Sequence, residues 1–230
     1  MLRGYTVGKK LEQLPEVAAA VIRDCEQEGL SAATTNRYLA ALRRVANLAL
    51  RWGWTDKAIG RRIELLPGER SRHVYLTVAQ VNALAKAAGG EMGDLIRFAA
   101  LTGLRRSEIL RLTPESLVDG AVLLDANTKS GRPRGVPLPP QALRIAKRRL
   151  PFTLGVSLIN KRFRDARVAA KMPTVRFHDL RHTYASWLVR QGAQMTSVRD
   201  LLGHSSLAVT SRYSHIQRED LVRATARLRV

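Results

Sequence analysis

The sequence predicts a mainly α protein with one small β-sheet, an α+β chain in which helices far outnumber strands. Three observations carry this. Apolar residues recur three and four apart along most of the chain, the spacing of helices with one buried face. Only residues 121–138 break that rhythm: AVLL, then NTKSGRPRG and VPLP, read as strands joined by a Ser-Gly turn. Finally, Pro, Gly and alternating charge in PGERSRHVY, residues 67–75, mark a linker between a short and a longer part. The 230 residues suit one large domain or two smaller ones, and the expected division is 1–68, a linker at 69–75, and 76–230.

Residues 8–28 are expected to be helical, with Pro15 as a start or a break, and Cys25 reads as a helix residue. The segment Ser31 to Trp54 is a strong amphipathic helix that Ser31 can cap and Gly53 ends. Leu39, Leu42, Val45, Ala46, Ala49 and Trp52 are predicted to share its buried face. Arg37, Arg44 and Arg51 recur at seven-residue spacing on the opposite face. Such a stripe could lie along DNA phosphates, and a solvated outer face explains it equally well. Past the linker, Thr77 caps VAQVNALAKAA, which Gly89-Gly90 stops. A buried helix at 92–101, a turn at Thr102-Gly103 and a short helix from Ser107 to Leu112 follow. After the strands, helices are expected at 140–149, 156–170, 178–190, 196–202, 206–213 and 219–227.

Charge is the dominant global feature. Lys and Arg number 39 against 19 Asp and Glu, a formal net charge of +20. A chain this basic must find counterions; a polyanion is the obvious partner and nucleic acid the expected one, against the alternative of a basic protein that only needs solubility. The single cysteine excludes an internal disulfide, and no Cys/His cluster suggests zinc. The N-terminus MLRGYTVGKK lacks a signal-peptide apolar run, and no apolar run is long enough to span a bilayer. A cytoplasmic location, in a bacterial cell or a phage-infected host, with no membrane partner, is the expectation.

The stretch HDLRHTYASWLV, residues 178–189, offers a choice between a metal and an anion. As a helix it gathers Leu180, Tyr184, Trp187 and Leu188 on one face, sets Arg181 at the margin, and leaves His178 and His182 outside. Two histidines four apart suit zinc, but the metalloprotease pattern wants a glutamate after the first and a third ligand nearby. Asp179 is shorter, and Arg181 between the ligands would repel a dication. No metal is expected. An arginine fork instead matches phosphate oxygens in pairs. Other cationic or polar pieces could join it: Arg105 in TGLRRSEILRL at an expected helix start, where N–H groups favour anions; Lys129 in the hairpin turn; His204 in LLGHSS; and Tyr213 in SRYSH. Taken singly, a histidine or tyrosine of this kind is more often structural.

In this order, TGLRRSEIL, the lysine hairpin, HDLRH, LGHSS and SRYSH resemble the tyrosine recombinase family, the phage-type integrases and their Xer-like relatives. The resemblance is specific over about residues 75–215 and looser at Ser31 to Trp54, where such enzymes carry a helical DNA-clamping domain. It implies a helical core-DNA-binding domain followed by a catalytic domain, and site-specific DNA recombination without metal, cofactor or ATP. It assigns Tyr213 as the nucleophile that forms a 3′-phosphotyrosine, His178 as its base, Lys129 as the acid for the leaving 5′-oxygen, and Arg105, Arg181 and His204 as phosphate ligands. Arg37, Arg44 and Arg51 become DNA-binding candidates, and Glu108 could brace Arg105 from one turn on. The implied partners are a double-stranded DNA site, further copies of the chain in a tetramer, and accessory DNA-bending proteins. Two rival functions follow from the same sequence: a DNA-binding protein that does not cut, and a type IB topoisomerase. The complete set of catalytic residue types opposes the first; LGHSS and the short N-terminal part oppose the second.

Overall fold

The computed structural model describes residues 2–67, 74–125 and 133–203. The chain forms two compact units, residues 1–72 and 73–230.

The first unit is helical. After α1 (Leu2–Thr6) and a 3-10 turn at Leu11–Gln13, α2 runs Leu14–Gln27 with Pro15 in its first turn, where the missing N–H costs nothing. The longest helix, α3 (Ala32–Arg51), begins at Ser31, whose hydroxyl accepts from Thr34 N at 3.3 Å. Leu39, Leu42 and Ala46 pack against Val17, Val21 and Cys25 of α2 and against Ile59 and Ile63 beyond it. Two predicted members of the α3 core face lie outside it: Val45 is 51% and Trp52 56% exposed. At 100° per residue the buried row centres near Leu39 and Ala46, and Val45 and Trp52 fall roughly 100–140° away from these two. Buried Asn36 closes the unit, donating to Leu66 O at 3.0 Å and accepting from Leu66 N at 2.7 Å.

The second unit opens with α4 (Val78–Ala88), capped by Thr77 with Gln80 reaching back, and α5 (Gly90–Thr102). α5 is buried nearly all round and packs against α4, α7 (Pro140–Arg149), α8 (Val156–Ala169) and α9 (Asp179–Arg190). Between α6 (Arg106–Ile109) and α7 lies an antiparallel sheet of order β1-β2-β3: β1 Leu117–Val118, β2 Ala121–Leu124 and β3 Arg134–Pro137. β1 has no counterpart in the sequence reading, because two residues are too few to show alternation. The chain segment that joins β2 to β3, including the predicted Ser-Gly turn, lies outside the described residues, as do the helices expected at 206–213 and 219–227. The last element among the described residues is α10 (Met195–Leu202), ended by Gly203 in the left-handed conformation. Among the described residues no helix is long and apolar enough to cross a membrane.

Candidate active site

The site is built around the end of α10. A helix leaves its last carbonyls unsatisfied and carries partial negative charge there. Here three successive carbonyls each meet an arginine from a different element. Arg134 of β3 donates through Nε to Leu201 O at 3.1 Å. Arg181 of α9 donates through Nη2 to Leu202 O at 2.5 Å. Arg105, which precedes α6, donates through Nη2 to Gly203 O at 3.4 Å. Two of the predicted site residues, Arg105 and Arg181, are thereby brought to one turn of chain.

Arg105 is placed by the segment before it. Gly103 ends α5 at φ 65°, and an added Cβ there would fall 2.3 Å from the Tyr184 ring and 2.9 Å from Leu202. Only glycine lets α5 turn so closely against α9 and α10. Arg105 then stands as the cap of α6, and Glu108 folds back on it. Glu108 Oε2 accepts from Arg105 N at 2.8 Å and Oε1 from Arg105 Nη1 at 2.8 Å. The bracing expected from one turn on is therefore present. The expected helix start is a single turn, α6, and the Glu108 carboxylate already holds the Arg105 N–H.

Glu108 is itself buried, at 4% exposure, and also accepts from Arg134 Nη2 at 3.0 Å. Burial pushes its pKa up. The Arg105 backbone N–H and the guanidiniums of Arg134 and Arg105 outweigh that and leave it below the usual carboxylate range. One carboxylate thus serves two arginines, and the cluster keeps net positive charge.

Arg181 departs from the sequence reading. It is 3% exposed, not marginal, and its Nη1 also donates to Gly103 O at 2.8 Å. The reading treated α9 as amphipathic, yet Thr183, Ala185 and Ser186 are buried as well. Polar residues can enter this core because their bonds are met internally. Thr183 Oγ1 donates to Asp179 O and accepts from Leu76 N, and Trp187 Nε1 donates to Leu76 O. Tyr184 packs inward as expected, and burial raises its pKa.

His178 precedes the first turn of α9, exposed, three residues before Arg181. Its ring meets that of His182 edge-on, with centroids 5.1 Å apart. Among the described residues no cluster of three or more His, Cys, Asp or Glu could hold a metal ion. Lys129, His204 and Tyr213 lie outside the described residues. Arg37, Arg44 and Arg51 are exposed on α3 in the first unit, and Arg44 and Arg51 line a shallow groove with Arg43 and Asn47.

Sequence reasoning missed Arg134. A signal was present: strand alternation puts it on the same face as Val136, which is fully buried, and register pairs it with Leu124. A charge at a core-facing strand position implies a buried partner.

Residues 74–220 match the phage integrase family. The chain belongs to that family. Among curated proteins, this integrase-family chain is 27% identical over 238 residues to the tyrosine recombinase XerD of Caulobacter vibrioides, covering 90% of this chain and 78% of that one. It is 28% identical over 210 residues to the integrase of Salmonella phage P22, covering 80% of this chain and 53% of the P22 protein. Among solved structures, a lambda integrase dimer bound to a COC′ core site superposes with TM-score 0.68 at 20% identity, over 86% of this chain and 78% of that one. The Tn1549 transposon integrase bound to transposon right-end DNA gives TM-score 0.68 at 20% identity, over 95% and 86%. These structures establish that the integrase fold is shared.

Proposed function

We propose that the chain binds a double-stranded DNA site and exchanges strands there through a 3′-phosphotyrosine at Tyr213. Its family makes it a tyrosine recombinase, an enzyme of site-specific recombination. The observation that carries the residue assignment is the convergence of Arg105 and Arg181 on the 201–203 turn, which leads directly to His204.

In the proposed step the Tyr213 phenol oxygen bonds to phosphorus and the bond from phosphorus to the 5′-oxygen breaks. The phenol proton passes to His178, and Lys129 protonates the departing 5′-oxygen. A phenol with pKa near 10 needs such help at neutral pH. Arg105, Arg181 and His204 face the charge that grows on the phosphate. A 5′-hydroxyl of another strand then attacks the phosphotyrosine, so the bond is conserved and neither metal nor ATP enters. Two other tyrosines are poor rivals: Tyr5 is pushed up to about 12 by its bond to Asp24, and Tyr184 is buried. Arg37, Arg44 and Arg51 supply phosphate contacts from the first unit, residues 1–68 by the expected division, which acts as the core-DNA-binding domain. The working assembly is a tetramer on DNA in the cytoplasm, with DNA-bending proteins as further partners.

The test uses a pool of nicked duplexes with a randomised core, with EDTA present. SDS-stable protein–DNA adducts are expected from the wild type and none from Tyr213→Phe. Adducts that persist in Tyr213→Phe overturn the nucleophile assignment. A wild-type chain that binds the pool and yields no adduct favours DNA binding without cleavage.

A further inference from the structure

The arginine on β3 has no part in the proposed chemistry, yet its side chain is enclosed and shares the charge of Glu108 with Arg105. Arg134 is about nine-tenths buried. Its Nε is held by Leu201 O and its Nη2 by Glu108, while its Nη1 is buried with no hydrogen-bond partner among the described residues. Its guanidinium lies flat against Gly203: an added Cβ there would fall 2.7 Å from Nη1 and 2.8 Å from Cζ. Arg134 thus joins the strand that follows the lysine-bearing segment to the turn that precedes His204.

Enclosing this charge is unfavourable unless something offsets it. A structural pair would need only one arginine for one carboxylate, and an apolar residue would suit a strand face shared with Val136. The second guanidinium has an electrostatic consequence. Alone with Glu108, Arg105 would be nearly neutralised, and its fork would be drawn to the carboxylate. With Arg134 taking part of the Glu108 charge, Arg105 keeps both a fixed orientation and net positive field toward a phosphate.

We infer that Arg134 is a positioning residue for strand cleavage: through Glu108 and the Leu201 carbonyl it sets the orientation and effective charge of Arg105. This rests on the recombinase reading above.

The test is single-turnover cleavage of a nicked duplex recovered from the adduct pool, at saturating DNA, with affinity for the same duplex measured separately. Arg134→Gln is expected to slow cleavage about 10- to 100-fold, the scale of a misplaced catalytic group, while its Kd changes less than about threefold. Arg134→Lys keeps charge without the fork and is expected to fall between Gln and wild type. In a Glu108→Gln background the further loss from Arg134→Gln is expected to shrink, since the two act as one unit. Arg134→Gln that cleaves at the wild-type rate, a loss that vanishes at saturation, or fully additive losses with Glu108→Gln each overturn the inference. If Arg134→Gln does not fold, Arg134→Lys decides: slowed cleavage at an unchanged melting temperature supports it, and the wild-type rate overturns it. A wild-type chain that forms no adduct overturns the recombinase reading and this inference together; an active wild type with indifferent Arg134 variants overturns only the inference.

Discussion

Two sets of three arginines serve this chain in opposite physical states. Arg37, Arg44 and Arg51 stand in water on the outer face of α3. Arg105, Arg134 and Arg181 are wholly or largely enclosed, and each is pinned to a backbone carbonyl of the 201–203 turn. A solvated arginine contributes attraction that salt screens, and it can follow a phosphate wherever that phosphate sits. A pinned arginine has lost its rotamer freedom during folding, so its orientation is set before a ligand arrives. Under the proposed function, the same residue type would serve affinity in one place and the preorganised charge of the active site in the other. Replacing members of each set should move different observables.

The largest expected effect is at Arg181. Arg181→Ala strips two buried carbonyls, Gly103 O and Leu202 O, of their donor. Each orphaned group costs about 1–3 kcal/mol, so the melting temperature should fall. At saturating DNA the single-turnover cleavage rate should drop about 100- to 1000-fold, the scale for losing one preorganised donor. Arg181→Lys keeps the charge, cannot span both carbonyls, and should recover only part of either loss. A cleavage rate within about threefold of wild type would remove Arg181 from the site.

The α3 stripe should behave otherwise. Replacing Arg37, Arg44 and Arg51 by Gln leaves no buried group unsatisfied, so stability should hold. If each touches one phosphate, every replacement lowers the slope of log binding constant against log salt by about 0.9. The cleavage rate at saturating DNA should stay at the wild-type value. Were the slope unchanged in the triple variant, the stripe would be a solvated outer face and the comparison would lose its first half.

The two regions also differ in how much of each the sequence disclosed. The α3 stripe was fully legible, because exposure of a polar face follows from periodicity alone. Val45 and Trp52 show the limit of that rule: an apolar residue at the edge of a stripe is buried only where a neighbouring element covers it, and among the described residues none covers these two. The enclosed set was legible only in part. Arg105 and Arg181 stood out by motif, yet nothing local told that Arg181 is buried, since its partners lie 78 and 21 residues away. Arg134 went unseen although its strand register pointed inward. Helix ends set by capping residues, such as Thr77 with Gln80 and Gly103, could be read directly because their causes are local.

The smallest expected effect separates the two sets by pH. Among the groups discussed, Glu108 is the one carboxylate shared between pinned arginines, and its folded-state pKa lies below the usual carboxylate range. A group of that kind adds stability that is fully present above its unfolded pKa and lost as pH falls through its folded one. Glu108→Gln has no such titration. The stability gap between wild type and Glu108→Gln should therefore be widest at neutral pH and narrow as acid takes the solution below the ordinary carboxylate range. Denaturant unfolding at a series of pH values reads this directly. The α3 arginines have no buried carboxylate to titrate, so their Gln variants should track the wild type at every pH. A gap for Glu108→Gln that stays constant into acid would mean the carboxylate gains nothing from its ionised form, and the shared charge between Arg105 and Arg134 would then not be what holds the turn together.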